Sequence, residues 1–390
     1  MTGATSAHHE IGSILLALTP TLSRKREGRA PAPKSPSPRL REKVAGESRP
    51  DDGLRGSSFR RYSRSAAGRR LAAAAALALA AHAAWGGEIV ERIRHDGVIR
   101  CGGVSRPGLV GQSPNGRAAA GLYLDLCRAV GAAVLGPEGR LEFRPYDSDK
   151  DFDRVRGGAD DLSFLDGAEM LDQALAGRVT IGPPVVFVST AVMVPSLSPI
   201  HRLQDLAGHS VCFYQASNAH LSLEARAAAL KIDFVRKAFT EYGELYDAYN
   251  AGICDAEVGE SGDLAVARLD SAGARSNSRI LPEPLLCFPV FAATPARDPQ
   301  WSAIVAWALY ALERAELPPR PWRAGGLDEV APKGADLGLA EDWAKGVVGA
   351  AGTYADIYAG NLGEASRLKL PRGPNAPAEA GGLFVTPFRE

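Results

Sequence analysis

From residue 95 onward the apolar positions follow two alternating rhythms. Val98-Ile-Arg-Cys-Gly-Gly-Val is a short apolar run interrupted by glycine, as in a buried strand. Leu122, Leu126, Val130 and Val134 recur at helical spacing and predict an amphipathic helix stopped at Gly136-Pro137. Leu141-Glu-Phe-Arg alternates as a second strand, and Phe152 with Val155 suggests a short helix ended by Gly157-Gly158. A brief strand around Leu162-Ser163 and a helical segment over residues 169–175 follow. The β-branched stretch from Val185 to Val194 reads as extended.

A second unit in the same style begins near residue 200. Leu203-Gln-Asp-Leu is a short helical turn, and Ser210-Val-Cys-Phe-Tyr is a strand. Ser217 or Asn218 can cap a helix running to Leu230. Strands are expected at 232–235 and 254–258, with helices at 242–251 and 262–269. Extended segments at 190–195 and 286–292 would carry the chain into this unit and back. The fold class expected is therefore α/β and two-lobed, with two mixed sheets flanked by helices and a double-crossover hinge. The first lobe would span 90–192, the second 195–285, and 288–390 would return to the first and add a helical extension. Trp301, Ile304, Val305, Ala308 and Leu312 mark a strongly amphipathic helix in that return.

The first part of the chain departs from this rhythm. Residues 1–59 are rich in Arg, Lys, Ser and Pro and read as disordered or as an over-extended translation start. Arg60-Arg61, Arg64 and Arg69-Arg70 then precede an apolar stretch from Leu71 to Trp85, with small residues at Ala81 and Ala83. Residues 60–85 thus have the form of a secretory signal peptide, with an uncleaved N-terminal anchor as the alternative, and a periplasmic destination is expected. Lys+Arg and Asp+Glu both number 45, so no basic excess points to a nucleic-acid partner. The five cysteines include no Cys-x-x-Cys, and no metal or cofactor is expected. In an oxidising compartment Cys101, Cys127, Cys212 and Cys254 read as two disulfides. Four cysteines allow three pairings; 101–127 and 212–254 keep each bridge within one lobe. Cys287 is left over.

Several segments, in order, resemble the periplasmic binding proteins of the general L-amino-acid ABC importers, in the type-3 solute-binding superfamily. They are Cys101-Gly-Gly-Val-Ser, Gly121-Leu-Tyr-Leu-Asp-Leu-Cys-Arg-Ala-Val and Leu203-Gln-Asp-Leu-Ala-Gly-His-Ser-Val-Cys. Further on come Ala248-Tyr-Asn-Ala-Gly-Ile-Cys-Asp, Asp342-Trp-Ala-Lys and Gly352-Thr-Tyr-Ala-Asp-Ile-Tyr. Leu368-Lys-Leu-Pro-Arg-Gly-Pro-Asn-Ala and Gly381-Gly-Leu-Phe-Val-Thr-Pro close the series. The resemblance implies a monomer that closes two lobes on a small polar solute, an amino acid or amine-bearing compound, and delivers it to ABC permease subunits in the inner membrane. In such a cleft an arginine takes the ligand carboxylate bidentately. Amides at a helix start assist it, and an acidic residue takes the ammonium group.

On that pattern the ligand contacts would be Ser163, Asp172, Tyr214, Ser217, Asn218 and Glu260, with Gln215 beside Tyr214. The departures are as informative as the matches. Relatives carry arginine after the serine, where this chain has Phe164, and the carboxylate-binding arginine aligns with Asp172. The family's Gly-Thr-Thr turn corresponds to Ala216-Ser-Asn, while Glu260 keeps the acidic partner of the amine. An unpaired buried carboxylate is costly, so a ligand carboxylate needs another cation. Three readings stay open: an amine-bearing ligand held by Asp172 and Glu260 with Asp166 or Glu169; a substitute cation, Arg106 or Lys150; or an accessory protein on a degenerate binding fold. No Gly-x-Ser-x-Gly or nucleotide motif occurs, so an enzyme is not expected. A dehydratase-like use of Asp172 and Glu260 is the remaining catalytic alternative.

Overall fold

The computed structural model describes residues 87–112, 119–146, 149–167, 177–271, 275, 277–317, 327 and 331–387. In chain order its first elements are α1 (Glu88–Asp96), β1 (Val98–Val104), β2 (Gly111–Gln112), β3 (Ala119–Ala120), α2 (Leu122–Leu135) and β4 (Arg140–Tyr146). Next come α3 (Asp153–Gly157), β5 (Leu162–Leu165), the long β6 (Val179–Pro195), β7 (Ser210–Tyr214) and α4 (Asn218–Leu230). They are followed by β8 (Val235–Phe239), α5 (Tyr242–Asn250), β9 (Ala256–Glu260), α6 (Ser261–Asp270), β10 (Ser278–Ile280) and β11 (Leu286–Pro295). The return ends in α7 (Pro299–Ala315), α8 (Gly334–Leu337), α9 (Trp343–Ala351) and α10 (Tyr354–Asn361).

Strand β1 lies parallel between β4 and β5, and β7 lies parallel between β8 and β9. These two parallel groups are the centres of the two lobes. Antiparallel β6 and β11 join them, so the two sheets expected from sequence share strands and form one ladder, β4-β1-β5-β11-β6-β9-β7-β8. Along β6 the partner changes: Val179 to Thr190 pair with β11, and Thr190 to Met193 pair with β9. Thr190 is the residue at which the strand passes from one lobe to the other. The strand starts earlier than the expected Val185. Pro183 and Pro184, which cannot donate to a ladder, hide its first half in the sequence. Opposite Pro184 the register with β11 shifts between Val290 and Phe291.

Each lobe has its own core. Ile99, Leu126, Val130, Trp301, Ile304, Leu312, Trp343 and Val347 are buried together in the first lobe. Val192, Val211, Phe213, Leu223, Phe234 and Val258 form the second. The expected strand at 232–235 begins instead at Val235, because Phe234 turns into this core from the preceding loop. Helix α7 is anchored at its start by buried Asp298. One carboxylate oxygen accepts from Trp301 N at 2.9 Å and the other from Ile89 N at 2.9 Å. The Trp301 indole donates to the Asp161 carbonyl at 2.7 Å. The C-terminal segment grips the crossover: the Asn375 amide accepts from Phe187 N at 2.7 Å and donates to Phe187 O at 2.9 Å.

The disulfides are Cys101–Cys127, tying β1 to α2, and Cys212–Cys254, tying β7 to the approach of β9. Their Cα separations are 6.5 and 5.7 Å, and Cys287 is free and half-buried. Each closed loop is worth about 3–4 kcal/mol in the chain-entropy model. Reduction is therefore expected to lower the melting temperature markedly, read by thermal denaturation with and without a thiol reductant; coincident curves would contradict it. Among the described residues no helix is long and apolar enough to cross a membrane.

Candidate functional site

Where β9 ends in lobe 2, Glu260 is both the last strand residue and the residue before α6. From lobe 1, the loop after β1 brings Arg106 to it. The Arg106 guanidinium donates to Glu260 Oε2 at 3.3 Å and to Asp166 Oδ2 at 3.0 Å. Asp166 follows β5, so one arginine bridges carboxylates from both lobes. The three side chains are 20–23 % exposed, enough shielding for charge to matter without full desolvation. Burial pushes the Glu260 carboxyl up, and Arg106 pulls it back without restoring the ordinary value.

Next to Glu260 is a cavity of about 180 Å³. Tyr214, Ser217 and Asn218, all read from the sequence as ligand contacts, line it with Glu260. Ser217 is the N-cap of α4: its hydroxyl accepts from His220 N at 3.1 Å and donates to the Tyr214 carbonyl at 2.8 Å. The turn before it needs a left-handed residue, and Ala216 fills that place with φ +60°. The family's glycine there avoids a strain of about 1 kcal/mol that alanine incurs. Tyr242 stacks on Tyr214 with centroids 4.3 Å apart, and Tyr246 continues the aromatic wall.

One expected contact is absent from this lining, and another falls outside the described residues. Ser163 is wholly buried in the sheet, in register with Gly102 and Ala293, and is not among the residues around the cavity. Asp172 lies outside the described residues, as do Glu169 and the helical segment expected at 169–175. Of the two substitute cations weighed, Arg106 stands at the cleft, and the Lys150 side chain is likewise outside the description. Phe164, in place of a family arginine, is buried and stacks on Tyr123 with centroids 4.2 Å apart, which makes it a core residue of lobe 1.

Sequence reasoning missed three residues here. Thr190, Glu257 and Asp263 also line the cavity. Thr190 and Glu257 are each 2 % exposed, and Thr190 Oγ1 and Glu257 Oε2 have no hydrogen-bond partner. Burial pushes the Glu257 carboxyl up to about 8 and raises Asp263 as well, although Arg106 partly offsets the latter. Such an arrangement, acidic and aromatic with unused acceptors, suits an ammonium or guanidinium group.

No protein-family model matches the chain. It is similar to the general L-amino acid-binding periplasmic protein AapJ of Rhizobium johnstonii, at 27 % identity over 330 residues, covering 80 % of this chain and 96 % of that one. It is also similar to the glutamate/glutamine/aspartate/asparagine-binding protein BztA of Rhodobacter capsulatus, at 26 % identity over 319 residues, covering 77 % and 93 %. Among solved structures, a periplasmic binding protein of an ABC transporter from Brucella ovis, with glutathione bound, superposes with a TM-score of 0.56 at 25 % identity. That match covers 77 % of this chain and 98 % of the other. In its two-lobed fold and the crossover at β6 and β11, and in sequence over about four fifths of its length, the chain is similar to periplasmic binding proteins of amino-acid ABC transporters.

Proposed function

We propose that this protein is the exported receptor of an amino-acid-type ABC importer. It would carry a small polar solute bearing an amine and a carboxylate between its lobes to permease subunits in the inner membrane. The observation that carries the reading is Arg106 set between Asp166 and Glu260. The Arg106–Glu260 pair has the charges of a zwitterion. A ligand carboxylate can take the place of the Glu260 carboxylate on Arg106, and a ligand ammonium can take the place of Arg106 on Glu260. Solute then exchanges for an ion pair of like chemistry, so neither charge is left unpaired when the lobes close. The first turn of α4, capped by Ser217, adds amides that favour an anion.

Export is supported by the pattern of residues 60–85 and by the periplasmic relatives. A thermal-shift screen of the purified protein with the twenty amino acids and with polyamines tests the receptor reading. A rise of melting midpoint with one chemical class is expected, since a ligand at about a hundred times its Kd stabilises by about 2.7 kcal/mol. A flat response to every compound would sink it.

A further inference from the structure

The receptor reading uses Arg106 and Glu260 but leaves Glu257, Thr190 and Asp263 without work. Glu257 and Glu260 lie on the same strand, and three residues of extended chain separate their Cα atoms by about 10 Å. Side chains at these positions leave opposite faces of β9. Glu257 therefore faces the layer of α5 and α6, where Leu245, Tyr246 and Leu264 surround the cavity. The buried carboxyl is left without a counter-charge there: its Oε2 is unbonded, and among the described residues no Lys, Arg or His lines the cavity. Thr190 adds a second buried acceptor without a partner, at the point where β6 changes lobes.

We propose that this cavity is a second-cation site, selecting solutes that carry an ammonium or guanidinium group a few carbons beyond the amine held by Glu260. The proposal deepens the receptor reading and rests on it. Glu257 supplies the charge, Thr190 an oxygen acceptor, and the tyrosine wall its electron-rich faces to the incoming cation. Asp263, on the first turn of α6, adds negative potential from the mouth. The carboxyl groups that line the cavity are Glu257, Glu260 at its edge and Asp263, with Tyr214, Tyr242 and Tyr246 the other titratable groups around it. Burial holds Glu257 protonated near neutral pH in the empty cavity, so a cation arriving there displaces a proton to solvent.

The test compares L-lysine with L-norleucine, which share a carbon chain and differ in the terminal amino group. Titration calorimetry of the full chain is expected to give lysine an affinity at least about tenfold higher, the scale of one charge-assisted hydrogen bond. Repeating it in two buffers of different ionisation enthalpy is expected to show proton release with lysine only. In Glu257→Gln the lysine-to-norleucine ratio should fall toward one, with a melting curve confirming a folded variant; Thr190→Val should lower it less. A ratio near one in the unaltered protein overturns the proposal, as does a ratio that survives both substitutions. Neutral amino acids binding without any lysine preference would remove the second-cation site and leave the receptor standing. Silence from all amino acids and polyamines would overturn both.

Discussion

Replacing Arg106 with alanine is expected to weaken solute binding by about a hundredfold, the cost of taking one partner from a shielded charge pair. The guanidinium is the cation that the described part of the cleft places between the lobes. Without it a ligand carboxylate would approach Asp166 and Glu260, two groups of its own sign, and repulsion would replace attraction. Arg106→Lys should recover only part of the loss, because an ammonium cannot hold a carboxylate through two parallel donors. Calorimetry with the solute found by thermal shift measures both variants. If Arg106→Ala binds as tightly as the parent, the carboxylate is held elsewhere and the exchange scheme is wrong. Little of the effect should reach the fold, since the pair is not in either core.

Folding stability is expected to fall as pH rises from about 5 to 8, opposite to the trend of a protein whose carboxylates are mostly paired. Two buried acids set the sign. Burial raises Glu257 to about 8 and Glu313, on α7, to about 9, from an ordinary 4.5. Between the ordinary and the raised value the native state keeps a proton that the unfolded chain has released. Stability therefore declines with pH, by up to about 1.4 kcal/mol per pH unit for each group. Glu313 is 4 % exposed, and neighbouring Glu316 pushes it in the same direction. At the acid end Glu224 and Asp233, held low chiefly by hydrogen bonds from Arg236, lose their stabilising ionisation. The maximum should thus lie near pH 4–5. Melting temperatures across pH 4–9 for the parent, Glu257→Gln and Glu313→Gln check this. Each glutamine should flatten the alkaline limb, and identical slopes in all three would refute the assignment.

Much of the architecture was legible because it depends on local pattern. The four-residue spacing of Leu122 to Val134 gives α2, and the requirement that bridges stay within a lobe gives both disulfides. Tyr214, Ser217, Asn218 and Glu260 could be grouped for a related reason: they sit at strand ends and helix starts, and the structure brings all four round one cavity. Glu257 could not. In Asp-Ala-Glu-Val-Gly-Glu its alternation with Val258 is that of a strand with one wet face, and only the packing of α5 and α6 shows that face to be covered. Arg106 could be named as a candidate cation but not placed, since a loop residue has no periodicity to orient it. The first half of β6 was concealed by its two prolines, and the burial of Ser163 within its strand could not be read from the short run around it.

The shared strands also impose an order of assembly. All the pairings of β7, β8, β9 and β10 are made with one another or with β6, so the strands of lobe 2 can all pair once β10 has been synthesised, and Leu281 and Leu285 complete its core just after. Lobe 1 has no such independence. Strand β5 must wait for β11, and the Asp161 carbonyl receives its indole donor from Trp301 across 140 residues of chain. The lobe that starts first therefore finishes last: β4, β1 and β5 can pair early, but β5 lacks its second neighbour until β11 exists. Under the export proposed above, that delay would help passage through a membrane pore, because lobe 1 cannot close its sheet until β11 has been made.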